Sequence, residues 1–350
     1  MPYVFGVDGG GTRSRAILMT DRGRVVYYGK GPGLNYHDTG ASQVTALIQR
    51  LFQEALHAAR GRPEECLGIC LGLAGVGQEQ DHEILRPLFD NLFGKESYLL
   101  TSDAEIALVS GTLSEFGIVV LAGTGSIIFG RNPKGKESRV GGYGPLLSDE
   151  GSGYRIGLEA LRAIVRYHDG LGPDTPIRSA VLSHLQMTQI SEMVNWVNTR
   201  SATREKIAAL APIVVRLASE DDPVADEILN QQADALALGV ESVCKRLEFS
   251  ERVDVVLGGG VFNEASYYGQ IVRRKILYLL PGANVTPPRF EPVVGAALYA
   301  LSMAGIPVDE DILDNVRRST RDSTPVSTAG PAVPTETAPK ATVSTSEGEE

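Results

Sequence analysis

The chain has 350 residues, 43% of them apolar and 22% charged, with a formal net charge of −10 and 3 cysteines. That apolar content is enough for two domains of ordinary size and too high for a wholly disordered chain. The acidic balance excludes a dedicated nucleic-acid binder, which needs Lys and Arg against phosphates, yet leaves room for a small anion held by backbone amides.

The first residues, MPYVFGVDGG, carry no basic stretch followed by an apolar run, so a cytoplasmic protein is expected. The longest apolar runs, Gly117–Ala122 and Val253–Leu257, are too short to cross a bilayer. Cys66, Cys70 and Cys244 make an odd set without disulfide spacing, and read as small buried hydrophobes in a reducing compartment.

In chain order, Tyr3–Val7 reads as an apolar strand, followed across a glycine turn by Arg15–Met19 and then a strand near Val25–Gly29. Three-four spacing of Val44, Leu47, Ile48, Leu51 and Leu56 predicts a helix over 42–60. Strand Leu67–Leu73, a helix near Asp81–Leu92, strand Tyr98–Leu100 and helix Asp103–Ser110 complete an α/β series. The order then restarts with strand Ile118–Ala122, a glycine turn and strand Ile127–Gly130. Helices dominate Gly157–Leu247, with a polar break at Ser219–Pro223. Strand Val253–Leu257 and a last helix, Val293–Ala304, follow. From Ser319 to Glu350 the chain is rich in Ser, Thr, Pro, Ala and Glu, with no aromatic residue, and is expected to be a disordered tail. The restart suggests a duplicated domain with one phosphate-binding hairpin per copy, or two unrelated glycine hairpins.

Five glycine-rich segments carry chemistry. In Asp8-Gly9-Gly10-Gly11-Thr12 the bare backbone can approach a phosphate, Thr12 adds a hydroxyl, and Asp8 can hold Mg2+ through water. The spacing matches neither a P-loop nor a dinucleotide fingerprint, and a plain tight turn is the competing reading. Ala122-Gly123-Thr124-Gly125-Ser126 is the second candidate loop. Gly142-Tyr143-Gly144 and Ser148–Gly153 suggest backbone folded round a polar ligand, with Asp149 able to accept from two hydroxyls. Gly258-Gly259-Gly260 would suit the flat approach of a nucleoside. Asp103 follows a strand and opens a helix, so it is either the helix cap or a general base.

These segments, with Asn35 in LNYHD and Asp103 in TSDA, resemble in order the actin/hexokinase/heat-shock ATPase superfamily, and more closely its N-acetylglucosamine kinase and BadF/BadG/BcrA/BcrD-type ATPase branch, over about residues 3–305. The resemblance implies two ribonuclease-H-like α/β domains, 1–115 and 116–318, with an ATP cleft between them. It implies ATP-dependent phosphoryl transfer to an amino-sugar hydroxyl, with ATP and Mg2+ required. It puts Thr12, Thr124 and the glycines beside them on ATP phosphates, Gly258–Gly260 on adenosine and Asp103 at the base. Asn35, Ser126, the Gly142–Gly144 backbone and Asp149 fall at the sugar. Ile127, Tyr36 and Tyr143 depart from the Asn, His and Trp of animal members, which leaves N-acetylglucosamine, glucosamine, N-acetylmuramic acid and glucose open. The partners expected are sugar and ATP, without nucleic acid or membrane, and with a homodimer left open. The competing functions are an ATPase that activates a radical dehydratase, for which Cys66 and Cys70 are poorly spaced, and a non-catalytic sugar sensor.

Overall fold

The computed structural model describes residues 1–322, apart from 96, 200, 250, 251 and 263–266, together with 326–327. β1 (Tyr3–Gly9), β2 (Arg13–Thr20) and β3 (Val25–Pro32) form an antiparallel meander. The one-turn α1 (Tyr36–Thr39) and α2 (Ala41–Ala59) lead to β4 (Cys66–Leu73), α3 (Glu79–Phe93), β5 (Tyr98–Ser102) and α4 (Asp103–Thr112). A second meander, β6 (Gly117–Ala122), β7 (Ser126–Arg131) and β8 (Glu137–Gly141), is followed by α5 (Gly153–His168), α6 (Ile177–His184), α7 (Ile190–Asn198), α8 (Arg204–Ala208), α9 (Ala211–Ser219) and α10 (Pro223–Arg246). The chain ends with β9 (Val253–Gly258), α11 (Tyr267–Leu279), β10 (Ala283–Thr286), α12 (Pro292–Met303), α13 (Glu310–Asp322) and the two-residue β11 (Val326–Ser327).

The strands make two sheets, ordered β11-β3-β2-β1-β4-β5 and β10-β9-β6-β7-β8. Apart from β11 they share one topology. In each, an antiparallel hairpin pair is extended by two strands parallel to its first member, β4 and β5 beside β1 and β9 and β10 beside β6. The repeated turn that the sequence displays is therefore a repeated sheet, with Gly9 opposite Ser14 in one hairpin and Ala122 opposite Ser126 in the other.

The first sheet packs one face on α2 and α3 through Val44, Ile48, Leu85 and Phe89. The second sheet buries its outer face under α5, α10 and α11. Between the sheets lie α4 and α12. Ala104, Ala107 and Leu108 of α4 pack on Val119, Phe129 and Val256 of the second sheet, while Ile106 faces the first. Every residue from Val293 to Leu301 of α12 is buried, as expected of a helix apolar on all sides. The two helices touch backbone to backbone: a Cβ on Gly295 would lie 2.0 Å from the Ile106 carbonyl oxygen. The last apolar helix of the sequence thus returns to the first sheet, where Gly6 admits it; a Cβ there would come 2.6 Å from the Ala297 amide.

Most elements lie where the periodicity places them. The polar break at 219–223 is the junction of α9 and α10, with Asp222 capping α10 through the Ala225 amide at 2.8 Å. Strands β8 and β10 are additions. β8 is a charged edge strand, ESRVG, and β10 has 4 residues, so neither presents an apolar run. α13 carries helix through Asp322, and Ser319 Oγ accepts the Val25 amide at 3.0 Å, inside the segment expected to lack a fold. The rest of that segment, except Val326–Ser327, lies outside the described residues. Cys70 and Cys244 are buried and Cys66 half-buried, all as free thiols.

Candidate active site

The β1–β2 turn presents the first glycine segment. Its glycines differ in what they do. A Cβ on Gly9 would strike Leu73 and Leu34 at 2.5 and 2.9 Å, so Gly9 is a packing residue, whereas one on Gly11 would meet nothing within 4 Å. None of the three adopts a positive φ. The turn is held from behind by the Leu34 amide, which donates to the Gly10 carbonyl at 3.0 Å. Gly11 and Thr12 are left exposed.

The β6–β7 turn is braced more heavily. Gly153 and Tyr154, at the start of α5, donate to the Gly123 and Thr124 carbonyls at 2.8 and 3.3 Å. Gly259 takes φ +103, and a Cβ there would come 2.3 Å from the Ala122 carbonyl oxygen. Gly258–Gly260 therefore lies directly against this turn. Gly123 and Gly260 keep open space beside their backbone.

Asp149 joins the same assembly from beneath. It is 2% exposed, adopts φ +75, and its Oδ1 accepts the Ser126 amide at 3.1 Å. Its Oδ2 accepts from Arg204 of α8. Ser126 Oγ donates to the Glu150 carbonyl at 2.7 Å. Two side chains expected at the sugar are thus occupied elsewhere, Ser126 Oγ by a backbone carbonyl and Asp149 by a backbone amide and Arg204. Both are buried behind the second turn, and neither lines the pocket described next.

A pocket of about 810 Å³ opens between the loop after β4 and the β7–β8 edge of the second sheet. Asp103, Gly142 and Tyr143 line it, with Ile127, Tyr36 and His37. Asn35 sits just behind: its Oδ1 caps α1 through the His37 amide at 3.1 Å and packs on Gly75, which lines the pocket. Gly144 and both glycine turns lie outside the lining. Sequence reasoning did not single out Asp81 and Arg139 as site residues. Asp81 Oδ1 accepts from the Tyr36 hydroxyl at 2.6 Å, and its Oδ2 accepts the Gly77 and Gln78 amides at 2.9 and 2.7 Å. Burial raises its carboxyl, but these donors and His37 together hold it below the usual range. The one available signal was the glycine pair Gly75 and Gly77 directly after a buried strand.

Asp103 does not cap its own helix. Ser102 does, its Oγ accepting the Glu105 amide at 3.2 Å while the Glu105 carboxylate returns to the Ser102 amide at 3.3 Å. The Asp103 carboxyl is left facing the pocket. Burial pushes it up to about 6, against the amides of Ala104 and of Asp103 itself, which pull it down. Asp8, at the end of β1, is pushed up to about 7 by burial, then by the Asp103 charge, and by Glu291. Arg15, 3.6 Å away, offsets only part of this. A buried carboxyl so poorly compensated fits a nearby cation. Among the described residues no group of three or more His, Cys, Asp or Glu could cage a metal, so a cation at Asp8 would keep most of its own water.

Among the described residues no helix is long and apolar enough to cross a membrane. The model of the BadF/BadG/BcrA/BcrD ATPase family matches residues 5–300. An N-acetylmuramic acid/N-acetylglucosamine kinase of Clostridium acetobutylicum is 32% identical over 304 residues, covering 86% of this chain and 99% of the relative. An N-acetyl-D-glucosamine kinase of Dictyostelium discoideum is 32% identical over 309 residues, covering 85% and 97%. The solved structure of a candidate N-acetylglucosamine kinase from Chromobacterium violaceum superposes with a TM-score of 0.68 at 26% identity, covering 86% of this chain and 99% of that one. With two sheets of one topology, each ending in a glycine turn, and a family match across nearly all the folded chain, the protein belongs to the BadF/BadG/BcrA/BcrD ATPase family.

Proposed function

We propose that this chain is an ATP-dependent kinase that phosphorylates an amino sugar, N-acetylglucosamine first, at its 6-hydroxyl. The observation that carries the reading is the Asp103 carboxyl: not used as the helix cap, half-buried, pushed up to about 6 and facing a pocket large enough for a sugar. The kinase relatives support it.

In this reading Asp103 takes the proton of the sugar hydroxyl as that oxygen bonds to the γ-phosphorus and the bond to the bridging oxygen of ADP breaks. Thr12 and Thr124, with the bare backbone of Gly10–Gly11 and Gly123–Gly125, hold the phosphates, with Gly9 packed behind them, and Gly258–Gly260 borders the adenosine. Asp8 would hold Mg2+, and Mg2+ would supply charge neutralisation on the phosphates. Tyr143, the Gly142–Gly144 backbone and Asn35 orient the sugar, while Asp149 and Ser126 set the shape of the second turn. The working units are two domains, 1–115 and 116–318, joined through α4 and bridged back by α12. The site of action is the cytoplasm.

A coupled assay of ADP release over glucose, glucosamine, N-acetylglucosamine and N-acetylmuramic acid tests this. Sugar-dependent turnover that disappears in Asp103→Asn upholds it. Sugar-independent ATP hydrolysis at full rate overturns it in favour of an activating ATPase.

A further inference from the structure

The charged side chains lining the pocket are nearly all spoken for. Glu105 and Glu137 both pair with Arg131. Asp81 is enclosed by the Tyr36 hydroxyl and two backbone amides. Asp103 is the base of the proposed reaction. Arg139 is different. Its guanidinium has no ion pair and no hydrogen-bond partner among the described residues. It lies over the Tyr143 ring, 5.1 Å from the centroid. It also reaches the opposite wall: a Cβ on Gly77 would lie 2.9 Å from Arg139 Nη1. Arg139 comes from β8 of the second sheet, and Gly77 from the loop that follows β4 of the first.

A guanidinium placed over an aromatic ring with no hydrogen-bond partner keeps its N–H donors free, and its planar fork matches a carboxylate bidentately. A neutral sugar offers such a group no counter-charge. The pocket is also roomy. At about 810 Å³ it exceeds what one unsubstituted hexose ring fills. ATP phosphates are a poor match for Arg139, because neither glycine turn lines this pocket.

We propose that Arg139 is a specificity-determining residue that pairs with a carboxylate carried on a substituent of the amino sugar, so that the pocket takes acidic hexosamines whose 6-hydroxyl still faces Asp103. The inference rests on the kinase reading for its substrate class, and its test separates the two.

Rates are measured with N-acetylmuramic acid and N-acetylglucosamine at saturating ATP, for wild type, Arg139→Gln and Arg139→Lys. In Arg139→Gln the ratio of kcat/KM for the acidic sugar over the neutral one is expected to fall about 10–100-fold, through KM, as loss of a charged hydrogen-bonded pair implies. Arg139→Lys should recover part of it, since charge returns without the fork. An unchanged ratio overturns the proposal, as does a change confined to the KM for ATP, or a wild type that phosphorylates only the neutral sugar. Calorimetric binding of N-acetylmuramic acid without nucleotide is run alongside. If wild type turns over neither sugar, the kinase reading fails on its own. Weaker binding of this sugar by Arg139→Gln would then still uphold the carboxylate site, and equal or absent binding would overturn it.

Discussion

Asp8, near the end of β1, feels the charge of Asp103, at the start of α4, which after burial does most to raise its carboxyl. Asp103 ionises first, at about 6, and its charge then opposes ionisation of Asp8, which follows at about 7. In the proposed reaction this order would let the base, Asp103, ionise before the carboxylate proposed to hold a cation, Asp8. The proton acceptor is ready before the second carboxylate, and a cation at Asp8 would relieve the repulsion between them.

The first prediction is kinetic. kcat/KM should rise with pH from about 6, reach half its limit near 7 and level off above about 8, because both carboxyls must be ionised in the working form and the later one sets the limit. Asp103→Asn should lose about 10²-fold or more in kcat with nucleotide binding kept. A rate near wild type in that variant would show that another group is the base.

The second concerns stability, and its sign follows from the same shifts. Both carboxyls hold their protons more tightly in the fold than at the ordinary 3.8, so the folded state carries more protons between about 4 and 7. Stability therefore falls as pH rises through that window. Asp103→Asn and Asp8→Asn remove the cost of the buried charge, and each should melt a few degrees above wild type at pH 8. The gain should shrink towards pH 4, where wild type is protonated as well. Thermal melts at the two pH values check this, and a gain independent of pH would trace the effect to packing.

A third prediction separates structural glycines from working ones. Gly295→Ala puts a Cβ 2.0 Å from the Ile106 carbonyl and drives α12 away from the helix that carries Asp103. It should cost about 1–3 kcal/mol of stability and lower activity with it. Gly11→Ala meets nothing within 4 Å and keeps a permitted φ, so the melting temperature should hold while the KM for ATP rises. If both variants melt alike, the distinction drawn from the close approach is mistaken.

The architecture was legible where strands are apolar runs and turns are glycine clusters. Val4–Val7 and Val119–Ala122, each followed by small residues, announce two copies of one hairpin. Edge strand β8 was not, since ESRVG is too polar to declare itself and is ordered only by pairing with β7. The same limit applies to the site. Asp103 could be singled out because a strand, a carboxylate and a helix adjoin in sequence. Whether it capped that helix depended on one hydroxyl next door. Asp149 was legible as a polar residue in a glycine-dense loop, but its burial under Ser126 and Arg204 depends on α8, far along the chain. Arg139 reaches the pocket from β8 of the second sheet and Asp81 from α3, and no local pattern encodes that meeting.

The last prediction turns on Ile127, the residue after the second glycine turn. As a strand residue it could have pointed into the core or into the pocket. It does both: it packs on the core between α4 and the second sheet, lines the pocket, and sits under Gly142, whose Cβ position lies 3.0 Å from Ile127 Cδ1. The side chain therefore forms an apolar floor beneath the Gly142–Gly144 backbone. A sugar N-acetyl group resting there makes contact through its methyl and leaves its amide without a side-chain partner at this position. Ile127→Asn supplies that partner, and a buried amide gains about 0.5–1.5 kcal/mol from a new hydrogen bond. The ratio of kcat/KM for N-acetylglucosamine over glucosamine should rise several-fold. The cost is a smaller apolar contact under Gly142, so the melting temperature should fall modestly, and folding is verified by that melt before the ratio is read. An unchanged ratio in a folded variant would place the acetyl group elsewhere in the pocket, away from the second turn.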